Sequence, residues 1–375
     1  MKELIFEKLK KIDVIVFFIA LFLIIFSIFN IYSASYHEFS NLYIKQIIFA
    51  VFSFFIILTT TFLFDYRWLS SVSFYLYGLG IFLLVLVKFI GTTILGAKRW
   101  INLGFFQLQP SEVMKSIMIF FSANYISSSK LPLSFKDFLK LMLFSSIPFV
   151  LIYTQPDLGS GIMLLLPVFA MVFLAGFKLR YIIGFALVLV LISPLVWTHL
   201  KDYQKNRIIA ILNPEADPKG TAYHIIQSKI AIGSGMLTGK GYLQGSQSKY
   251  YFLPEQHTDF IFATIGEEWG FVVSFLLVSL YLVLSLRIFF IGRQLKDMFG
   301  KFICYGVASL IAFQSFINIA MNLAIAPVVG VPLPFLSYGG TALIMFSFLI
   351  GLVLNISYIN SKQSFQLYTE NIGDY

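Results

Sequence analysis

The sequence predicts an all-α, polytopic integral membrane protein of about ten transmembrane helices, and three observations carry that prediction. Of 375 residues, 58% are hydrophobic and 12% charged, against about 25% charged in soluble domains. Mean hydropathy is +0.85. The apolar residues fall in runs near the roughly 20 residues that a helix needs to cross a bilayer core, not in the short alternating segments of a membrane β-barrel.

The start, "MKELIFEKLKKID", has the charge of a signal peptide. The apolar run from Val14 to Tyr32 that follows exceeds the roughly 7–15 residues of a signal core, so it reads as an uncleaved first span. Further spans follow at 43–64, 72–90, 110–126, 139–154, 160–176, 181–198, 260–291, 302–325 and 338–358, each bounded by polar, Gly or Pro punctuation. The chain reads as one domain over 1–375, with a long loop at 199–258 between spans seven and eight and a disordered tail at 359–375. Within the long loop, Tyr223 to Ile232 suit a short helix lying at the membrane interface.

The net charge of +9 does not call for nucleic acid, because the basic residues sit in short loops where they set topology. One set of alternate loops carries Lys2, Lys8, Lys10, Lys11, Arg67, Lys130, Lys136, Lys140, Lys178, Arg180, Arg287, Arg293, Lys296, Lys301 and Lys362. The other set holds few, among them Lys45, Lys98 and Arg99. The positive-inside rule therefore places both termini in the cytoplasm and the remaining loops outside. The single cysteine, Cys304, lies in an apolar run, which excludes an intramolecular disulfide and a cysteine-based zinc site. No internal repeat is visible, which disfavours transporters built on inverted repeats.

The unusual polar stretches all belong to the outer set: "GAKRWINLGFFQLQPSEVMK", "TQPDLGSG", the loop 199–258 and "APVVGVPLPFLSYGG". "GSGMLTGKGY" fails the nucleotide-binding P-loop pattern, since Ser234 stands at the first glycine and Gly241 follows Lys240. It reads as a flexible loop whose backbone amides are open to some other anion. Asp259 precedes "FIFATIG", so Thr258 or Asp259 can cap the following helix. An ionisable residue at a span edge is also a functional candidate, and here His257 and Glu255 stand close by. Glu112 and Lys115 follow Pro110 at i, i+3 spacing on one helix face. Asp157 reads as turn chemistry at the mouth of span six or as a site residue. Glu267 and Glu268 lie inside a span, and the cost of facing lipid turns them into the bundle, towards Asn318 or Asn322. The four histidines are scattered without zinc spacing. A magnesium or manganese ion held by one or two carboxylates and substrate phosphates fits the composition, with Asp259 a possible ligand.

In their observed order, "AKRWINLGFFQLQPSEVMK", "QPDLGSG", "LNPEADPKG", "QSKIAIGSGMLTGKGYLQGSQ", "FLPEQHTDFIFATIGEEWG" and "PFLSYGG" resemble the SEDS (shape, elongation, division and sporulation) membrane proteins, from span one to span ten. "GSQSKYYFLPEQHTDFIFA" and the short termini are more similar to the family's elongation members than to its division members. The resemblance implies a peptidoglycan glycosyltransferase that polymerises lipid II on the outer face of the bacterial inner membrane. It also implies a crosslinking class B penicillin-binding protein as partner, with other elongation-complex membrane proteins. The family's essential aspartate falls on Asp259, its outer-face tryptophan on Trp100, and its glutamate and lysine of span four on Glu112 and Lys115.

Joining sugars from a lipid-linked pyrophosphate donor needs a base for the acceptor hydroxyl and positive charge for the departing pyrophosphate. Asp259 supplies the first. Lys115, Arg99, Lys98 and Arg207 are candidates for the second, with a divalent ion sharing the task. His257 and Asp157 stand as supporting residues, and Trp100 either stacks on a sugar or anchors the interface. Two other readings fit an outward polar face: a flippase for a lipid-linked precursor, and a non-catalytic activator of the penicillin-binding protein.

Overall fold

The computed structural model describes residues 12–36, 41–94, 97–104, 106–199, 205, 209, 221–250, 252–253 and 255–373. Ten helices of 17 or more residues correspond to the ten expected spans. They are α1 (Val14–Ser35), α2 (Leu42–Leu63), α3 (Trp68–Ile90), α4 (Pro110–Ser128), α5 (Phe135–Tyr153), α6 (Leu158–Leu174), α7 (Leu179–His199), α10 (Ile261–Gln294), α11 (Met298–Asn322) and α12 (Gly340–Gly373). Two shorter helices, α8 (Thr221–Ser234) and α9 (Ser246–Lys249), lie between α7 and α10. Among them α1, α2, α3, α10, α11 and residues Gly340–Ser361 of α12 are both long and apolar enough to cross a membrane, and α6 is a shorter apolar helix. The protein is a multi-pass membrane protein.

Helix starts follow cap chemistry more than hydropathy. Asp13, Ser134 and Asp297 accept the amides of Val16, Asp137 and Gly300, which moves the starts of α5 and α11 four residues ahead of the apolar runs. Around the centre, α4 and α11 are buried on nearly every face. Their packing depends on small residues: a Cβ on Gly306 of α11 would stand 2.6 Å from Ile119 of α4, and one on Gly351 of α12 would stand 2.7 Å from Thr60 of α2. Such close approach replaces the hydrophobic driving force that helices lack in lipid. Cys304 lies on α11 and is fully buried. Outer helices turn Phe18, Phe52, Phe74 and Phe275 outward, as suits a lipid-facing surface. α7 stands at the edge, with Tyr181 at its start against Phe135 and Phe177.

Three features differ from the sequence reading or add to it. The stretch before α4 is a small antiparallel sheet, β1 (Thr92–Ile94), β2 (Ala97–Asn102) and β3 (Gln107–Leu108), in the order β1-β2-β3. Thr92 pairs with Trp100, Thr93 with Lys98 and Ile101 with Leu108. α8 spans the expected Tyr223 to Ile232, and one face of it is packed into the protein: Ala222, Ile225 and Ala231 are buried with Phe260, Ala263 and Met321. That face is covered by α10 and α11, while Ile230 is exposed. Finally, α12 continues to Gly373 where a disordered tail was expected, because no proline interrupts the run of helix-tolerant residues after the span.

Candidate functional site

The site is built at the loop-rich end of the bundle, where α4, α6, α10 and α12 begin and α11 ends. Pro110 opens α4 at a position that needs no amide donor, and Glu112 and Lys115 follow on its first turns. Their charged groups are 2.8 Å apart and their side chains are 2% and 1% exposed. Lys115 Nζ also donates to Gln314 Oε1 of α11 at 2.8 Å and lies 6.0 Å from the Phe346 ring centroid. A buried ammonium thus has two acceptors, which offsets much of its desolvation.

Gln314 carries the chain of contacts onward, its Nε2 donating to the Pro332 carbonyl at 2.9 Å. Pro332 lies in the segment 326–339 that joins α11 to α12. Asn318, one turn further along α11, donates to the carbonyls of Val331 and Asp259 at 2.7 and 3.0 Å. Asn322 donates to the Asp259 carbonyl at 3.0 Å and accepts the Ala263 amide at 3.1 Å. Ser337 donates to the Thr258 carbonyl, and the Tyr338 amide to that of His257 at 2.8 Å. The Asp259 carboxylate lies half-buried over Gly330: a Cβ added there would be 3.4 Å from Oδ2. Gly330 has φ +67, so this wall suits glycine on both counts.

This arrangement corrects the capping expectation. Phe260 occupies the N-cap of α10, so neither Thr258 nor Asp259 does. The Thr258 hydroxyl donates to Glu255, while Asn322 takes up the Ala263 amide.

Asp157 caps α6 by accepting the Ser160 amide at 3.1 Å, and is 97% buried. Gly159, two residues on, abuts the Val329 carbonyl, so α6 presses on the same segment as Asp259. Arg99 donates Nε to the Gln155 carbonyl at 3.0 Å and Nη2 to that of Pro156. It therefore clamps the α5–α6 turn with part of its guanidinium. Lys98 is exposed and Trp100 half-buried on β2. His257 meets Tyr338 edge-on at 6.0 Å. Arg207 lies outside the described residues. Among the described residues there is no group of three or more His, Cys, Asp or Glu that could hold a metal ion.

Glu267 and Glu268 point inward as expected, but not to Asn318 or Asn322, which are committed around Asp259. Glu267 Oε1 accepts from Lys240 Nζ at 2.6 Å, the Ser246 amide at 2.9 Å and the Ser246 hydroxyl at 2.8 Å. Glu268 accepts from Ser33 of α1. The glycine-rich segment is likewise not a loose anion loop. α10 is broken at Gly270 (φ 73, ψ −170), which leaves carbonyls and amides without helical partners. The segment fills them: Lys240 and Gly241 donate to the carbonyls of Glu267 and Glu268, both at 3.0 Å, and the Phe271 and Val272 amides donate to Met236 and Leu237. Tyr242 closes the strap by donating to the Phe29 carbonyl at 3.0 Å. Burial, with the nearby Glu268 adding to it, pushes the Tyr242 hydroxyl up to about 12, so it stays a donor.

A helical membrane protein with a half-buried carboxylate, a buried carboxylate–ammonium pair and a basic strand gathered at one end is a protein equipped for chemistry at the membrane boundary. Residues 12–362 match the FtsW/RodA/SpoVE family model, described as cell cycle protein, and the chain belongs to that family. It is 44% identical over 284 residues to the peptidoglycan glycosyltransferase MrdB of Escherichia coli K12, covering 75% of this chain and 76% of that one. It is 36% identical over 363 residues to the probable peptidoglycan glycosyltransferase FtsW of Trichlorobacter lovleyi, covering 93% and 94%. A solved structure concerned with polymerisation and crosslinking by a peptidoglycan synthase complex has a TM-score of 0.80 at 29% identity, over 94% of this chain and 99% of that one. RodA of Thermus thermophilus gives 0.69 at 26% identity, over 92% and 96%.

Proposed function

We infer that the chain is a peptidoglycan glycosyltransferase that polymerises lipid II into glycan strands during cell elongation, with Asp259 as general base. One observation carries the assignment of the site: Asp259 and the buried Glu112–Lys115 pair, far apart in sequence, are tied to one segment through Gln314 and Asn318.

In the reaction, the acceptor hydroxyl attacks the anomeric carbon of the donor. A carbon–oxygen bond forms there as the bond to the pyrophosphate oxygen breaks, and the lipid pyrophosphate leaves with the electron pair. Asp259 takes the hydroxyl proton. Lys98 and the remaining donors of Arg99 meet the negative charge that develops on the leaving group. Lys115 and Glu112, both buried, support the wall from behind, while Trp100 and His257 bracket the headgroup. Polyprenyl tails stay in lipid. A magnesium or manganese ion, held by Asp259 and the pyrophosphate oxygens, would neutralise the same charge when bound.

In this reading the end that carries Asp259 faces outward from the bacterial inner membrane and both termini are cytoplasmic, an orientation that the distribution of basic residues among the loops supports. A class B penicillin-binding protein, alongside other elongation-complex membrane proteins, is the partner that this reading requires. The test is polymerisation of lipid II in liposomes by the chain with its cognate penicillin-binding protein, in magnesium, in manganese and with chelator. Wild type makes long strands, and Asp259→Asn makes none at matched complex formation. Strands from the Asn protein would remove Asp259 from the base role, and equal rates with chelator would remove the cation.

A further inference from the structure

At the opposite end of the bundle a cavity of about 420 Å³ opens between the start of α1, the last turns of α10 and the Ser357–Asn360 turn of α12. Its size falls within the roughly 300–1,000 Å³ of small-ligand sites. Asp13, Arg287, Gln294, Ser357 and Asn360 line it on the polar side. None of these residues takes part in the site around Asp259.

Asp13 is fully committed: Oδ1 accepts the Val16 amide at 3.1 Å and Oδ2 accepts Arg287 Nε at 2.7 Å. Its charge is spent on aiming the guanidinium. Arg287 itself is 46% exposed, and among the described residues only its Nε is seen to donate. A guanidinium held by one edge presents its other N–H groups as a fork, the geometry that matches a phosphate. Beside it Gln294 and Ser357 add neutral donors.

The apolar part of the lining decides the class of ligand. Val14, Ile15 and Phe290 line the same cavity and are 47%, 47% and 43% exposed, on helices whose outer faces meet lipid. A free anion would gain nothing from them, whereas the glycerol and first methylenes of a phospholipid would cover them. This is also the end that carries Arg67, Lys130, Lys178 and Lys296 in its connections and Arg180 and Arg293 in the adjoining helix turns, so anionic headgroups concentrate there. Basic pockets between membrane helices at such an end bind anionic lipid headgroups. We propose that the cavity between α1, α10 and α12 binds the headgroup of an anionic phospholipid, its phosphate on Arg287 and its chains along α1 and α10.

The experiment uses the full chain in phosphatidylcholine discs, with and without phosphatidylglycerol, and reads retained lipid by native mass spectrometry together with thermal melting. Wild type is expected to keep phosphatidylglycerol and to melt higher when it is present. Arg287→Gln is expected to retain about ten-fold less, the loss of one charged hydrogen bond. Because that variant strands the Asp13 carboxylate, Asp13→Asn/Arg287→Gln, which removes both charges, is measured beside it and is expected to behave the same way. Undiminished retention in both variants would overturn the proposal, as would equal melting of wild type in the two discs. If inorganic phosphate added to phosphatidylcholine discs raised melting as much as the lipid does, the site would be one for a free anion and the lipid assignment would fall.

Discussion

Gln314 shows how much at this site depends on a residue with no charge of its own. It accepts from Lys115 and donates to the Pro332 carbonyl, so replacing it leaves a buried ammonium short of an acceptor and a buried carbonyl without its donor. A hydrogen bond to a charged group contributes about 1.5–3 kcal/mol. Gln314→Met, close in volume, is therefore expected to slow strand polymerisation by ~10-fold or more, with complex formation unchanged. A rate within two-fold of wild type, by gel analysis of strands at matched protein, would show that Lys115 is held well enough by Glu112 alone. The sequence reading singled out Asn318 and Asn322 but not Gln314, although the three stand four apart inside an apolar span, on one face of a helix. Asp259, Glu112 and Lys115 stood out as charges where lipid forbids them. Gln314 did not, because an amide costs less to bury, and only its partners reveal what it holds.

Between elements, the break in α10 and the glycine-rich segment form one unit. Gly270 has a backbone conformation open only to glycine, and a Cβ there would clash with the amide of Gly239. Gly270→Ala is expected to destabilise the protein by about 1–3 kcal/mol from strain alone, with further loss from the displaced segment. Thermal melting in detergent reads it, and melting within a degree of wild type would mean that the break is not fixed by this glycine. Sequence reading placed Glu267 and Glu268 inward correctly, from the cost of lipid, but missed their partners. Lys240 and Ser246 sit about 20 to 30 residues earlier in a stretch whose composition says loop, and nothing local announces that a loop will serve as the missing turns of a helix. The three-stranded sheet was hidden for a related reason: β1 and β3 are 3 and 2 residues long, too short for any periodicity to register. Caps were read no better: the one expected, at Thr258 or Asp259, is not formed, while Asp13, Ser134 and Asp297 cap helices whose starts had been read from hydropathy alone.

Across the whole molecule, the ten runs and their alternation of basic and polar connections set the architecture before any contact is known. Each run became a helix, and each polar stretch outside the long loop came to the same end. What composition could not supply was the order of burial. α4 has much lower hydropathy than α1 yet lies at the centre, because its serines and charged pair need protein neighbours while the leucines and phenylalanines of α1 are satisfied by lipid. Hydropathy therefore does not rank the helices by depth: α3 is less apolar than α1 and yet more exposed, while the strongly apolar α6 is largely enclosed, as expected where lipid rather than water surrounds the bundle. α7 is the complement, apolar and peripheral.

The full burial of Cys304, the chain's single thiol, on the most enclosed helix makes the natural protein silent to thiol reagents, so any cysteine placed on its surface reports by itself. Lys98→Cys, on the exposed side of β2, should react with a membrane-impermeant maleimide added to intact spheroplasts, and Lys178→Cys, between α6 and α7, only after the membrane is opened. The reverse pattern would turn the molecule over in the bilayer. The wild-type chain is its own blank in either case, and the labelled positions can then carry distance probes across the bundle without any engineering of the background.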